Sequence, residues 1–169
     1  MRELSVEISK RLHEWGYPGA ASVRYDRDEL DIIAGDQLRS AHGKGVRAIL
    51  HAAFTLSLAQ YCFDRDFPHP GFVVLDSPLV TYRPPDHSAD EDEEPPEGVV
   101  RAFYRDIQER FDGQVIVMEN TDPIDPLAQD AVDIPFTKRP GDGRYGFLPV
   151  KTRADDSQVL GLEAKPAQS

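Results

Sequence analysis

Two carboxylates in this chain stand where carboxylates do chemistry. Asp76 ends the apolar run Phe72-Val73-Val74-Leu75 and is followed by Ser77 and Pro78. Glu119 follows a second run, Gln114 to Met118, and precedes Asn120. An acid at the carboxyl end of a buried strand sits where open α/β sheets take their ligands. There Asp76 would hold a divalent cation. Ser77 and Asn120 stand beside the two acids, and a serine hydroxyl is a poor base without a partner. A third stretch, Ser40 to Val46 (SAHGKGV), offers anion binding. Backbone N–H groups at a helix start attract anions, glycines such as Gly43 and Gly45 allow close approach, and Lys44 adds charge. Each stretch also has a plainer reading. Asp76 caps a turn after a core strand, Ser40 to Gly45 lead into a helix, and Asn120 opens a loop.

The other reactive residues do not converge. His13, His42, His51, His69 and His87 are scattered, and no Cys or His cluster has metal-ligand spacing. Cys62 closes an apolar helical stretch and reads as core. Ser77 lacks the flanking glycines of a hydrolase nucleophile elbow. Asp76 with Glu119 forms a carboxylate pair of the kind a metal-dependent nuclease uses, but no further acidic ligand can be placed.

Certain elements must position these residues. Leu4, Ile8, Leu12 and Trp15 share one face of a helix over residues 1–15, which Gly16 and Pro18 stop. Ser22 to Tyr25 and Leu30 to Ile33 read as a β-hairpin across a polar turn, with a second turn at Gly35-Asp36. From Val46 to Tyr61 the apolar residues keep helical spacing, and extra alanines widen the face, so this helix is expected to be buried on most sides. The runs before Asp76 and Glu119 read as strands buried on both faces. Between them, Val99 to Phe111 reads as an amphipathic helix with Val100, Phe103, Ile107 and Phe111 inward. Strand, helix, strand in that order implies a right-handed parallel crossover. A last strand pair is expected around 133–136 and 145–148.

Length and charge set the bounds. At 169 residues the chain is one domain or part of one. The net charge is −11, and seven acids lie between Asp86 and Glu97 with no Lys or Arg among them. Residues 85–98 are therefore expected to be a flexible acidic insertion and 151–169 a disordered tail. The acidic balance argues against a free-standing nucleic-acid binder. One cysteine permits no internal disulfide and favours a reducing, cytoplasmic setting. No apolar stretch is long enough to cross a membrane as a helix.

In order, the chain offers a glycine-containing loop opening a helix, a strand ending in Asp, a helix, and a strand ending in polar residues. Over roughly Leu30 to Asn120, best around GKGVRAI and FVVLDSPL, this resembles the C-terminal lobe of an ABC-type ATPase head of the SMC and RecN kind. The resemblance implies an α/β fold with a small, mainly parallel sheet, flanking helices and the N-terminal hairpin, over residues 1–150. It implies that Asp76 is the Walker B residue on Mg²⁺, and that Ser40 to Val46 is the signature loop facing ATP on a partner head. Ser77 stands where the family has its catalytic glutamate, Pro78 keeps the family's proline, and Glu119 and Asn120 occupy the switch-histidine end, where the resemblance implies that either orients water or senses the γ-phosphate and that Glu119 supplies the missing carboxylate. No GxxxxGK[ST] occurs, so the P-loop must come from an N-terminal lobe or another subunit. The implied protein is not an ATPase alone. It works with ATP and Mg²⁺ in a head-to-head dimer, in DNA maintenance or defence. The competing readings are a nuclease-like domain and a non-catalytic interaction domain.

Overall fold

The computed structural model describes residues 2–79, 97–120, 123, 125–139 and 144–146. The expected acidic insertion, up to Pro96, and the expected tail lie outside them, as do residues 147–148 of the last expected strand pair. The chain divides into two compact units, Met1–Ala128 and Gln129–Ser169. In the second unit, Thr137 and Lys138 donate backbone hydrogen bonds to Arg144 and Tyr145, and no strand forms among the described residues.

The first unit is mixed α/β. Its elements run α1 (Arg2–Glu14), β1 (Val23–Asp26), β2 (Asp31–Ala34), β3 (Gln37–Leu38), α2 (Lys44–Phe63), β4 (Phe72–Asp76), α3 (Glu97–Glu109) and β5 (Gln114–Met118). β1, β2 and β3 form an antiparallel sheet, and β4 and β5 form a separate parallel pair. The expected hairpin is therefore present, one residue later than its β-prone runs suggest. The amphipathic stripe of α1 is buried as its spacing requires, with Leu4, Ile8, Leu12 and Trp15 at 1% exposure or less. Serines stitch that helix to the hairpin: Ser9 Oγ–H donates to the Val23 carbonyl at 2.7 Å, and Ser5 Oγ accepts from Tyr25 N–H at 3.0 Å.

α2 is the central support. Ile49, Leu50, Ala53, Leu56 and Ala59 are fully buried in the core shared with α1, both sheets and α3. Its end approaches the start of β5 so closely that a Cβ on Gly113 would lie 2.9 Å from the Phe63 and Phe111 rings. Glycine is required there by contact.

Three expectations need correction. Glu97 and Gly98 belong to α3, which begins inside the expected insertion. The stripe of α3 runs through Val99, Phe103 and Asp106, so an acid takes a core position. Most consequentially, β4 and β5 are not buried on both faces. Val73 and Leu75 point into the core, whereas Phe72 and Val74 are exposed, as are Ile116 and Met118 on β5. Among the described residues helices cover the sheet on one side only, and a continuous apolar run does not reveal whether one face or two are covered.

Asp106 is held by an interhelical cluster. Its Oδ2 accepts from Trp15 Nε1–H at 3.0 Å and faces Arg11 Nη1 at 3.1 Å. Trp15 also meets Phe103 edge-on, with ring centroids 5.2 Å apart. Burial pushes the Asp106 carboxyl up and the Arg11 guanidinium down, each partly offset by the other.

Candidate functional site at the carboxyl end of the parallel sheet

The parallel register sets Val74 beside Ile116, Leu75 beside Val117 and Asp76 beside Met118. Both strands thus end together, and Asp76, Ser77, Glu119 and Asn120 gather at one edge. Asp76 is exposed and belongs to the outward face with Phe72 and Val74. Ser77 leaves the strand at φ +48°, a left-handed conformation that costs a non-glycine residue about 1–2 kcal/mol. Two bonds hold it there. Its N–H donates to the Met118 carbonyl at 2.8 Å, and its Oγ–H donates to Asp76 Oδ1 at 3.2 Å. The Ser77 hydroxyl therefore orients the Asp76 carboxylate.

Glu119 plays a different part. Strand alternation turns it to the inner side, where its Oε1 accepts from Leu79 N–H at 3.2 Å. Its Oε2 is buried without a hydrogen-bond partner. Desolvation pushes its carboxyl up. Backbone N–H groups of Leu79 and Asn120 pull it back, and Asp76 pushes it up slightly. Glu119 clasps the turn after β4 to the end of β5, with the neutral form favoured by burial. Asn120 is exposed at the same edge.

The other candidates lie at the start of α2. Gly43 is its N-cap, extended at φ −60° and ψ 159°, and no side chain caps the helix. The first-turn N–H groups are left open to an anion. Ser40, Gly43 and Lys44 are exposed, and Gly45 is buried. His42 Nε2 meets the Ala34 carbonyl at 3.3 Å and Arg39 pairs with Asp31 through both carboxylate oxygens, so the loop is tied to the hairpin. No hydrogen bond or ion pair joins this loop to Asp76, Ser77 or Glu119 among the described residues.

Mg²⁺ is commonly held by one or two carboxylates plus substrate phosphates, and an exposed Asp76 suits that role. A self-sufficient metal cage is another matter. Among the described residues no group of three or more His, Cys, Asp or Glu could hold a metal. No helix among them is long and apolar enough to cross a membrane. The buried Arg11–Asp106–Trp15 cluster escaped sequence reasoning. Its one local signal is an acid three residues after Phe103, in line with the apolar stripe. No protein-family model matches the chain, and no curated protein matches its sequence.

Proposed function

We propose that this chain is the C-terminal lobe of an SMC-like ATPase head. The observation that carries the reading is Asp76, exposed at the carboxyl end of a parallel strand and oriented by the strained Ser77. Open α/β sheets bind ligands at that edge. In this reading Asp76 helps hold Mg²⁺ on ATP, and the metal supplies charge neutralisation of the phosphates. The open N–H groups of Lys44 and Gly45 meet phosphate presented by a partner. Glu119 keeps the Asp76 turn in place and, with its carboxyl pushed up by burial, is in its ionised form a stronger base than an exposed glutamate. The P-loop comes from a partner lobe, and the assembly acts on DNA.

The test is titration calorimetry with Mg²⁺–ATP, first on the chain alone and then on its mixture with the product of a neighbouring reading frame carrying a Walker A motif. Binding should appear only in the mixture, and Asp76→Asn should weaken it at least about tenfold. Equal binding by the D76N mixture would overturn the reading. Metal-dependent cutting of DNA by the chain alone would favour the nuclease-like reading instead.

A further inference from the structure

A cleft of about 220 Å³ opens between the end of α1 and the second half of α3, lined by Glu14, Ala102, Arg105, Asp106, Glu109 and Arg110. Its floor carries an unfinished contact. Asp106 is 3% exposed, and only one of its carboxylate oxygens is bonded. Oδ2 takes the Trp15 indole N–H and faces Arg11. Oδ1 is buried with no hydrogen-bond partner among the described residues. The cation facing Oδ1 is Arg110, whose Nη1 stands 3.8 Å away, too far to hydrogen-bond. The Glu14 carboxylate on α1 holds that same nitrogen. A buried charged acceptor left without a donor is costly. At the rim, Arg105 and Glu109 are exposed, and neither makes an ion pair among the described residues.

We infer that this cleft binds a small molecule carrying a primary ammonium group. Three carboxylates and two guanidiniums line it, and one guanidinium is already paired with Glu14. The negative excess favours a cation. The orphaned Oδ1 favours one with N–H groups to donate. An ammonium offers three donors, enough for Asp106 Oδ1, Glu14 and Glu109. Arg110, whose side chain is 38% exposed, swings aside and yields its place near Oδ1 to the ligand. A cavity of about 150 Å³ holds a benzene-sized molecule, so this one admits a diamine or a small amino acid. With an amino acid, the ligand carboxylate pairs with Arg105. The cleft is separate from the Asp76 edge: α3 leads from it toward the start of β5, and Asp76 stands beside Met118, the last residue of β5. It needs neither nucleotide nor partner lobe.

Trp15 is the chain's one tryptophan, so its indole N–H gives a single NMR cross-peak, one hydrogen bond from the Asp106 carboxylate. The test titrates the ¹⁵N-labelled full chain at about pH 8, where amines are protonated and carboxylates ionised. Ethylammonium, putrescine and alanine are added into the millimolar range at fixed ionic strength, with tetramethylammonium as a cation that has no N–H. The Trp15 peak should move saturably with the N–H cations and stay in place with tetramethylammonium. Tighter binding of putrescine than of alanine identifies a diamine as the ligand, and the reverse an amino acid. Glu109→Gln should weaken binding at least about threefold, and Arg110→Gln, which removes the internal competitor for Oδ1, should tighten it by about as much. Both variants keep Asp106, Arg11 and Trp15, so the fold stands in each. No shift with any N–H cation, an equal shift with tetramethylammonium, or parent-like binding by either variant would overturn the inference.

Discussion

The two sheets of this molecule solve the same problem with opposite success. Each turns one face to the shared core, Val23, Ile32 and Ala34 from the antiparallel sheet and Val73 and Leu75 from the parallel one. Their other faces diverge. The antiparallel sheet turns Arg24, Asp26 and Asp31 outward beside half-buried Ile33 and Leu38, with Asp31 held by Arg39. The parallel sheet shows Phe72, Val74, Ile116 and Met118. The described outer face of one sheet is mixed and charge-bearing, and that of the other is mainly apolar.

That contrast can be pressed at several points. The largest effect lies in the layer on which both sheets rest. Asp106→Ala leaves Arg11 buried without its counter-charge, and should cost about 3–5 kcal/mol in urea denaturation. Replacing both residues with leucine should cost much less. If the single and double variants lose equal stability, the two sheets do not share one cooperative core.

Next comes the turn that carries Asp76. Ser77→Val puts a β-branched residue at φ +48° and removes the hydroxyl bond, for a loss of about 1–2 kcal/mol. Ser77→Gly should hold stability within about 1 kcal/mol, since it relieves the strain as it loses the bond. A smaller effect is expected at Glu119. Its folded-state carboxyl is pushed above the ordinary value near 4.5, so the native state keeps the proton longer than the unfolded chain does. Stability from this group is present at low pH and fades as pH rises through the folded value. Glu119→Gln keeps an acceptor for Leu79 N–H and cannot ionise. Its unfolding free energy in urea should match the parent near pH 4 and exceed it by pH 7, by under about 1 kcal/mol.

The smallest effects sharpen the comparison most. Val74→Thr on one outer face and Arg24→Ala on the other should each change stability by no more than about 0.5 kcal/mol. Binding of the dye ANS should fall for V74T and stay level for R24A. A stability loss from V74T as large as a core substitution would show that its side chain is covered after all.

Particular residues show what the sequence could disclose. The stripe Leu4, Ile8, Leu12 and Trp15 announced both the helix and its buried face, because local periodicity and burial agree there. The parallel strands were legible as strands, and their carboxyl ends as the place where Asp76 and Glu119 meet. Their exposure was not legible, since Phe72 to Leu75 reads alike whether one face or two are covered. Nor was the division of labour between the two acids. Alternation sends Asp76 outward and Glu119 inward, and only the register between the strands fixes that. Asp106 was hidden for a further reason: an acid is buried only with a partner, and Arg11 and Trp15 lie on a distant helix.

The Trp15–Asp106 bond spans 91 residues of sequence. A ribosome adding about 5–20 residues per second needs roughly 5–20 s to cover that distance. Through that interval the newborn chain carries a buried-type tryptophan and a cation with nothing to close over them. α1 must wait on the hairpin and α2 while its last contact is still being made.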